Sequence, residues 1–132
     1  MSTTNLKLPQ VLVIEDDAAL RDLIARSLRM RGFHVREAGD GLAGLRLLEA
    51  YEPDVLILDL GLPIATGFDV MSELRAAVQP RVTPVIAISG YEEQLAKARE
   101  RSDFVAVLSK PFDPEELIRK VQRVSVAGPV GS

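Results

Sequence analysis

Apolar residues recur along the chain in two alternating patterns. Short runs of mostly branched apolar residues predict buried strands, at positions 10–14, 33–38, 55–58, 85–88 and 104–108. Between these runs the apolar residues are spaced three or four apart, which is typical of amphipathic helices. These stretches predict helices at 18–30, 42–51, 66–78 and 92–101, and a fifth that begins after Asp113.

Residues that favour helix ends and turns support these boundaries. Asp17 is placed to cap the first helix and Gly32 to end it. Asp113 is placed to cap the last helix, whereas Asp40 and Gly41 are the residues of a typical turn.

Five strands that alternate with five helices predict a parallel sheet with crossover helices on both faces. The short loops between strands and helices leave little room for a substrate domain. The prediction is an α/β fold, a doubly wound five-stranded sheet in the flavodoxin-like order 2-1-3-4-5. Residues 10–125 form the domain, and residues 1–9 and 126–132 are expected to be flexible tails or, at the carboxyl end, the start of a linker.

Composition narrows the chemistry. The chain has 132 residues and no cysteine, so thiolate nucleophiles, thiolate metal sites and disulfides are excluded. The formal net charge of −3 does not favour nucleic acid as a partner. Because neither a membrane span nor a signal peptide is evident, we expect a cytoplasmic protein without membrane insertion. The single histidine, His34, is expected to be a packed or surface residue in a strand.

Polar residues stand where four of the predicted strands end. Glu15 and Asp16 follow the first strand, Asp59 follows the third, Ser89 the fourth, and Lys110 the fifth. The carboxyl ends of parallel strands meet at one edge of the sheet, where ligands bind. Three crowded carboxylates require a cation, and hard oxygen ligands without His or Cys favour Mg²⁺. A hydroxyl and an ammonium nearby suit the oxygens of a phosphoryl group.

These segments resemble the receiver domains of two-component response regulators. The resemblance covers 11–124 and is carried by Val-Leu-Val-Ile-Glu-Asp-Asp at 11–17, Leu-Asp-Leu-Gly-Leu-Pro at 58–63 with Gly-Phe at 67–68, Ile-Ser-Gly at 88–90 and Leu-Ser-Lys-Pro-Phe at 108–112. It implies a signalling phosphoacceptor rather than an enzyme with a separate substrate. The donor would be a sensor histidine kinase or a histidine phosphotransfer protein.

The resemblance also implies a role for each site residue. Asp59 is the phosphoacceptor, and Asp16 binds Mg²⁺ directly while Glu15 acts through water. The backbone carbonyl of Gly61 falls where the family supplies a further metal ligand. Ser89 is the switch hydroxyl and Lys110 the phosphate-binding lysine, with a cis bond expected between Lys110 and the proline that follows it.

The chain departs from the family pattern beside the site. Val107 stands where an aromatic rotamer switch is usual, and a stiff valine side chain has too little reach for that motion. Tyr91 is a candidate for shielding the site or replacing part of that role, and Gly90 keeps access to Asp59 open. We therefore expect phosphorylation to reorder residues 90–101.

The first helix has two interpretations. In the family, this helix and the neighbouring loops receive the phosphohistidine partner. Leu20, Arg21, Ile24 and Leu28 form a partly apolar stripe that either docks such a partner or faces the sheet.

Alternative functions stay open. One is a pseudo-receiver that binds a partner without phosphorylation. A second is a Mg²⁺-dependent aspartyl-phosphate phosphatase of the haloacid-dehalogenase type, which is disfavoured because Glu15 and Asp16 are adjacent and the nucleophile follows the third strand. The sequence is compatible with three settings for such a receiver: a free-standing protein, a phosphorelay intermediate, or part of a hybrid kinase or longer regulator.

Overall fold

A computed structural model describes residues 8–76 and 82–127. Its elements alternate throughout, in the order β1 (Gln10–Ile14), α1 (Ala18–Arg29), β2 (His34–Ala38), α2 (Gly41–Ala50), β3 (Val55–Asp59), α3 (Gly67–Ala76), β4 (Val85–Ser89), α4 (Glu92–Arg99), β5 (Ala106–Ser109) and α5 (Pro114–Ala127). Most of both predicted tails and the predicted end of α3 at 77–78 lie outside the described residues. The last helix runs two residues into the segment predicted as tail.

The five strands form one parallel sheet in the order β2-β1-β3-β4-β5, which confirms the predicted fold. All five residues of β3, the central strand, are buried. Val55 and Ile57 belong to one core cluster, whereas Leu56 and Leu58 belong to the other. Successive strand side chains point to opposite faces of the sheet, and here both faces are covered, so a continuous apolar run is required.

Two layers of helices cover the sheet. The first core cluster joins it to α1 and α5, and the second joins it to α2, α3 and α4. His34 is exposed on the edge strand β2, as the surface interpretation predicts. Among the described residues, no helix has the length and apolar character needed to span a membrane.

The predicted helix caps are confirmed. The side chain of Asp17 accepts hydrogen bonds from the backbone N–H groups of Ala19 and Leu20 at 3.0 and 3.1 Å. Gly32, just after α1, has a φ of 91°, a left-handed conformation that glycine adopts without steric cost. Asp113 accepts from the backbone N–H of Glu115 at 3.0 Å at the start of α5.

Some predicted boundaries are wrong. Asp40 and Gly41 are not a free turn: Asp40 caps α2 by accepting from the backbone N–H of Ala43 at 2.8 Å, and Gly41 is the first helical residue. Helix α4 ends at Arg99 rather than at 101, and β5 begins at Ala106 rather than at 104. Each difference lies at an element end, where side-chain hydrogen bonds compete with the regular ladder.

The apolar stripe of α1 faces the sheet. Ile24 and Leu28 are buried in the first core cluster, and Leu20 packs against it. Arg21 donates from its guanidinium to the carbonyl oxygen of Glu15 at 2.8 Å and lies 3.6 Å from the carboxylate of Glu37. Ile24 and Leu28 therefore cannot contact a partner, whereas Leu20 and Arg21 are part-exposed. Docking of a phosphohistidine partner at α1 and its neighbouring loops stays a prediction.

Candidate functional site

The topology brings the chemistry-bearing strand ends together. Strands β1, β3, β4 and β5 are neighbours in that order, so their carboxyl ends form one continuous edge. Asp59 and Ser89 are the last residues of β3 and β4. Lys110 follows β5, and its backbone N–H donates to the carbonyl oxygen of Ser89 at 2.8 Å. The peptide bond between Lys110 and Pro111 is cis, as predicted.

Three carboxylates converge at this edge. Ligand oxygens of Glu15, Asp16 and Asp59 all lie within 4.8 Å of one another. Glu15 is fully buried and Asp59 is 3% exposed, whereas Asp16 faces solvent. The set is made of hard oxygen donors, two of them enclosed and one at the mouth, which fits Mg²⁺ with part of its water shell retained.

Lys110 joins the two buried carboxylates. Its Nζ lies 2.8 Å from Oε1 of Glu15 and 3.3 Å from Oδ2 of Asp59. The other oxygen of Asp59, Oδ1, accepts from the backbone N–H of Gly61 at 3.0 Å. Both oxygens of Asp59 therefore have a fixed neighbour, and the carboxylate is held in one orientation.

Burial dominates the electrostatics of Glu15. It raises the pKa of Glu15 from 4.5 to about 7, and the nearby charge of Asp59 adds to the rise. The ammonium of Lys110, 2.8 Å from Oε1, and the hydrogen bond that Oε2 accepts from the backbone N–H of Asp17 lower the pKa of Glu15 and so act in the opposite direction. Burial also acts to lower the pKa of Lys110, but its ion pairs with Glu15 and Asp59 outweigh that effect and leave the pKa above its ordinary value. Lys110 is therefore protonated.

The hydroxyl of Ser89 has partners within its own loop and helix. Ser89 is fully buried. Its Oγ accepts from the backbone N–H of Tyr91 at 3.0 Å and donates to Oε1 of Gln94 at 2.7 Å. Gln94 was missed by sequence reasoning. The available signal was a polar residue in the first turn of α4, close in the chain to a candidate site hydroxyl.

Tyr91 and Gln94 lie over the loop that follows β3. A Cβ atom built on Gly61 would be 3.1 Å from Cε2 of Tyr91 and 3.4 Å from Oε1 of Gln94. The side chain of Tyr91 remains 64% exposed. Its ring is therefore placed beside the site, consistent with the predicted shielding role. Val107 packs against the second core cluster in β5.

The loop between β3 and α3 is anchored by close packing. A Cβ atom on Gly67 would lie only 2.6 Å from the carbonyl oxygen of Asp59 and 2.6 Å from Cα of Leu60, so no larger residue fits there. Leu60 and Leu62 are buried. Ile64, between these anchors and α3, is fully exposed and has a φ of 66°. The anchors hold the backbone beside Asp59 in a set position.

Three acidic oxygen ligands, a hydroxyl and an ammonium at one edge of a parallel sheet define a class of α/β domains suited to bind Mg²⁺ and a phosphoryl group. Residues 11–122 match the sequence profile of the response regulator receiver domain. The chain belongs to this family and is a receiver domain of two-component signal transduction.

Individual relatives agree with this assignment. The DNA-binding dual master transcriptional regulator RpaA of Synechocystis sp. is 35% identical over 118 residues, which cover 87% of this chain and 48% of RpaA. The chain thus spans about half the length of RpaA. An uncharacterized 14.6 kDa protein of Leptolyngbya boryana is 37% identical over 120 residues, covering 90% of this chain and 92% of that protein.

The fold is also shared with solved receiver structures. The receiver domain of the sensor histidine kinase PA1611 from Pseudomonas aeruginosa superposes with a TM-score of 0.78 at 30% identity, covering 90% of this chain and 98% of that one. That structure holds a magnesium ion in its active-site cleft.

Proposed function

We propose that Asp59 accepts a phosphoryl group from a sensor histidine kinase or a histidine phosphotransfer protein, and that residues 10–125 are the unit that does so. The observation that carries this proposal is the position of Lys110, whose Nζ lies 3.3 Å from Oδ2 of Asp59 and 2.8 Å from Glu15. An ammonium held beside a buried carboxylate is placed to bind the oxygens of a phosphoryl group on that carboxylate.

Mg²⁺ is the proposed cofactor. Glu15, Asp16 and Asp59, whose oxygens lie within 4.8 Å of one another, would hold it together with the backbone carbonyl of Gly61. When bound, the ion supplies positive charge to the phosphoryl oxygens and relieves the repulsion among the carboxylates.

The residues of the chain position the reaction. A carboxylate oxygen of Asp59 forms the new bond to phosphorus, while the bond from phosphorus to the donor breaks and the donor leaves with its electron pair. The hydrogen bond from Gly61 at 3.0 Å fixes the orientation of the Asp59 carboxylate. Lys110 neutralises charge on the transferred group, and Ser89 then donates its hydroxyl to a phosphoryl oxygen. The protein assists its own phosphorylation and dephosphorylation and does not act on a separate substrate.

The proposed partners and location follow from the family. A receiver domain takes its phosphoryl group from a histidine kinase in the cytoplasm, and we propose both for this chain. The name of RpaA describes DNA binding by that protein, which extends well beyond the matched region. The acidic charge balance of this chain, −3, supports a protein rather than nucleic acid as its direct partner.

Intact-mass spectrometry after incubation with acetyl phosphate and Mg²⁺ tests the proposal. We expect one phosphoryl adduct that requires Mg²⁺ and is absent in Asp59→Asn. Asp22→Asn is a matched control, because Asp22 is an exposed carboxylate on α1 and pairs only with Arg26 among the ion pairs found in the described residues. An adduct that forms at full yield in Asp59→Asn would contradict the proposal. The absence of any adduct from the folded wild type would favour a pseudo-receiver.

A further inference from the structure

Ser89 has one hydroxyl proton, and this proton already forms a hydrogen bond within the domain. The hydroxyl donates to Oε1 of Gln94 at 2.7 Å. Its oxygen accepts from the backbone N–H of Tyr91 at 3.0 Å. A phosphoryl oxygen can only accept a hydrogen bond, so Ser89 can bind it only by donating the same proton. The bond to Gln94 must therefore break before Ser89 can contact a phosphoryl group.

The Ser89 hydroxyl has few alternative hydrogen-bond acceptors nearby. Ser89 is fully buried, so water does not reach its hydroxyl in this conformation. The carbonyl oxygen of Tyr91 lies 3.5 Å from Oγ, at the limit of a hydrogen bond. Gln94 thus provides the main acceptor for the hydroxyl, and loss of this acceptor leaves the donor poorly satisfied.

Gln94 also lies close to the phosphoacceptor loop. Its Oε1 is 3.4 Å from the point that a Cβ on Gly61 would occupy. Gly61 in turn donates from its backbone N–H to Asp59 at 3.0 Å. The carboxamide therefore stands between the hydroxyl that must move and the loop that carries the acceptor aspartate.

We propose that Gln94 is a positioning residue that holds the Ser89 hydroxyl in the unphosphorylated state and so opposes the phosphorylated conformation. The inference rests on the proposed function of Asp59. A ligand shifts a conformational equilibrium only through its differential interaction with the two states. The hydrogen bond to Gln94 exists only in the unphosphorylated state, so it reduces the apparent affinity of the site for a phosphoryl group or its mimic.

Titration calorimetry of the Mg²⁺-saturated protein with beryllofluoride measures this effect. We expect Gln94→Met, which removes the acceptor, to lower the Kd for beryllofluoride by about two- to tenfold, the range for one neutral hydrogen bond. Gln94→Glu keeps the size and can only accept, so it should raise the Kd. Ala96→Met is the matched control, because it adds the same side chain at an exposed position of α4 without a change of charge. Its Kd should equal that of the wild type.

A double-mutant cycle with Ser89→Ala shows whether Gln94 acts through Ser89. In the Ser89→Ala background we expect Gln94→Met to leave the Kd unchanged, because the hydrogen bond is already absent. A persistent effect in that background would overturn the inference. So would an equal or higher Kd in Gln94→Met than in the wild type. A folded wild type that binds no beryllofluoride would overturn the proposed function and the inference together, whereas binding with equal Kd values overturns the inference alone.

A purely structural role predicts a different pattern. If Gln94 only stabilised the fold, Gln94→Met would lower the free energy of unfolding equally with and without beryllofluoride and leave the Kd of the folded protein unchanged. The positioning role predicts a lower free energy of unfolding in the unliganded protein together with a higher affinity. Urea denaturation of the same variants, with and without the mimic, separates the two patterns.

Discussion

The Nζ atom of Lys110 lies 2.8 Å from Oε1 of Glu15, a carboxylate that is fully buried. In the metal-free protein this ammonium is the nearest compensation for two buried acids, since it also lies 3.3 Å from Asp59. The same ammonium is proposed to bind the phosphoryl group. Before phosphorylation, Lys110 therefore neutralises the buried carboxylates of Glu15 and Asp59, and in the proposed function the same ammonium binds the phosphoryl oxygens.

Stability of the metal-free protein should depend on the protonation of Glu15. Burial raises the pKa of Glu15 from 4.5 to about 7. The folded state therefore binds more protons than the unfolded state between these values, and stability falls as the pH rises through this window. We expect Glu15 to lower the free energy of unfolding by about 1–3 kcal/mol from the bottom to the top of the window.

Urea denaturation in EDTA at several pH values measures this dependence, with Glu15→Gln as the control that cannot titrate. Asp103, whose pKa is lowered from 3.8 chiefly by its hydrogen bond with Arg101, changes stability only at more acidic pH. Equal slopes for the wild type and Glu15→Gln between pH 4.5 and 7 would contradict the expectation, because that window is bounded by the two pKa values of Glu15.

Removal of Asp16 should separate metal binding from stability. Asp16 is exposed, and its carboxylate lies within 4.8 Å of ligand oxygens of Glu15 and Asp59. We expect Asp16→Ala to abolish the Mg²⁺-dependent increase in Tm, while the metal-free variant is no less stable than the wild type because a like charge has been removed. Thermal melts with EDTA and with a Mg²⁺ series test both parts. A metal-free variant that melts well below the wild type would show that Asp16 has a structural role.

Ile64 should be a site of removable backbone strain. Its φ is 66°, a conformation that a β-branched residue rarely adopts, and its side chain is fully exposed. We expect Ile64→Asn to raise the free energy of unfolding by about 0.5–1 kcal/mol, because asparagine tolerates the left-handed region and no packing is lost. Ile64→Val keeps the β-branch and should leave stability unchanged. Equal midpoints for all three proteins in urea would contradict this account.

The response to phosphorylation should be concentrated in the first half of α4. The segment expected to respond is residues 90–101. Its carboxyl-terminal end is fixed by Arg101, whose guanidinium forms two hydrogen bonds with Asp103 at 2.7 and 3.0 Å. The near end, at residues 90–95, contacts the site through the hydrogen bonds of Ser89 with Tyr91 and Gln94 and through the position of Tyr91 and Gln94 beside Gly61. We therefore expect residues 90–95 to change most.

Hydrogen exchange with and without beryllofluoride and Mg²⁺ measures this response. Altered protection across residues 90–101, strongest before Leu95, is the expected result, with little change at Val107. Val107 packs into the second core cluster and has no aromatic ring to move. Changes confined to Val107 and α5 would show that the signal leaves through another route.

Most of the architecture follows from local pattern. In β3, Val55 and Ile57 face one core and Leu56 and Leu58 the other, so a strand covered on both sides must be apolar at every position. Once alternating strands and helices predict a doubly wound sheet, the carboxyl ends of the strands share an edge. The convergence of Glu15, Asp59 and Lys110 is then a consequence of the topology. Each of these residues could be predicted from its position at the end of a strand in the sequence.

Only the tertiary structure showed which side chains form hydrogen bonds with one another. The sequence did not show which residues of the α1 stripe are buried: Ile24 and Leu28 lie in the first core cluster, and Arg21 donates to the carbonyl oxygen of Glu15 at 2.8 Å. Gln94 belongs to no motif recognised in the sequence, yet its Oε1 accepts a hydrogen bond from the hydroxyl of Ser89 at 2.7 Å. The hydrophobic pattern of a sequence shows which face of a helix or strand is buried. It does not show which residues meet there, because the hydrophobic effect is not directional. A hydrogen bond requires its two atoms to meet within about 3 Å at a favourable angle, and only the packed fold places them so.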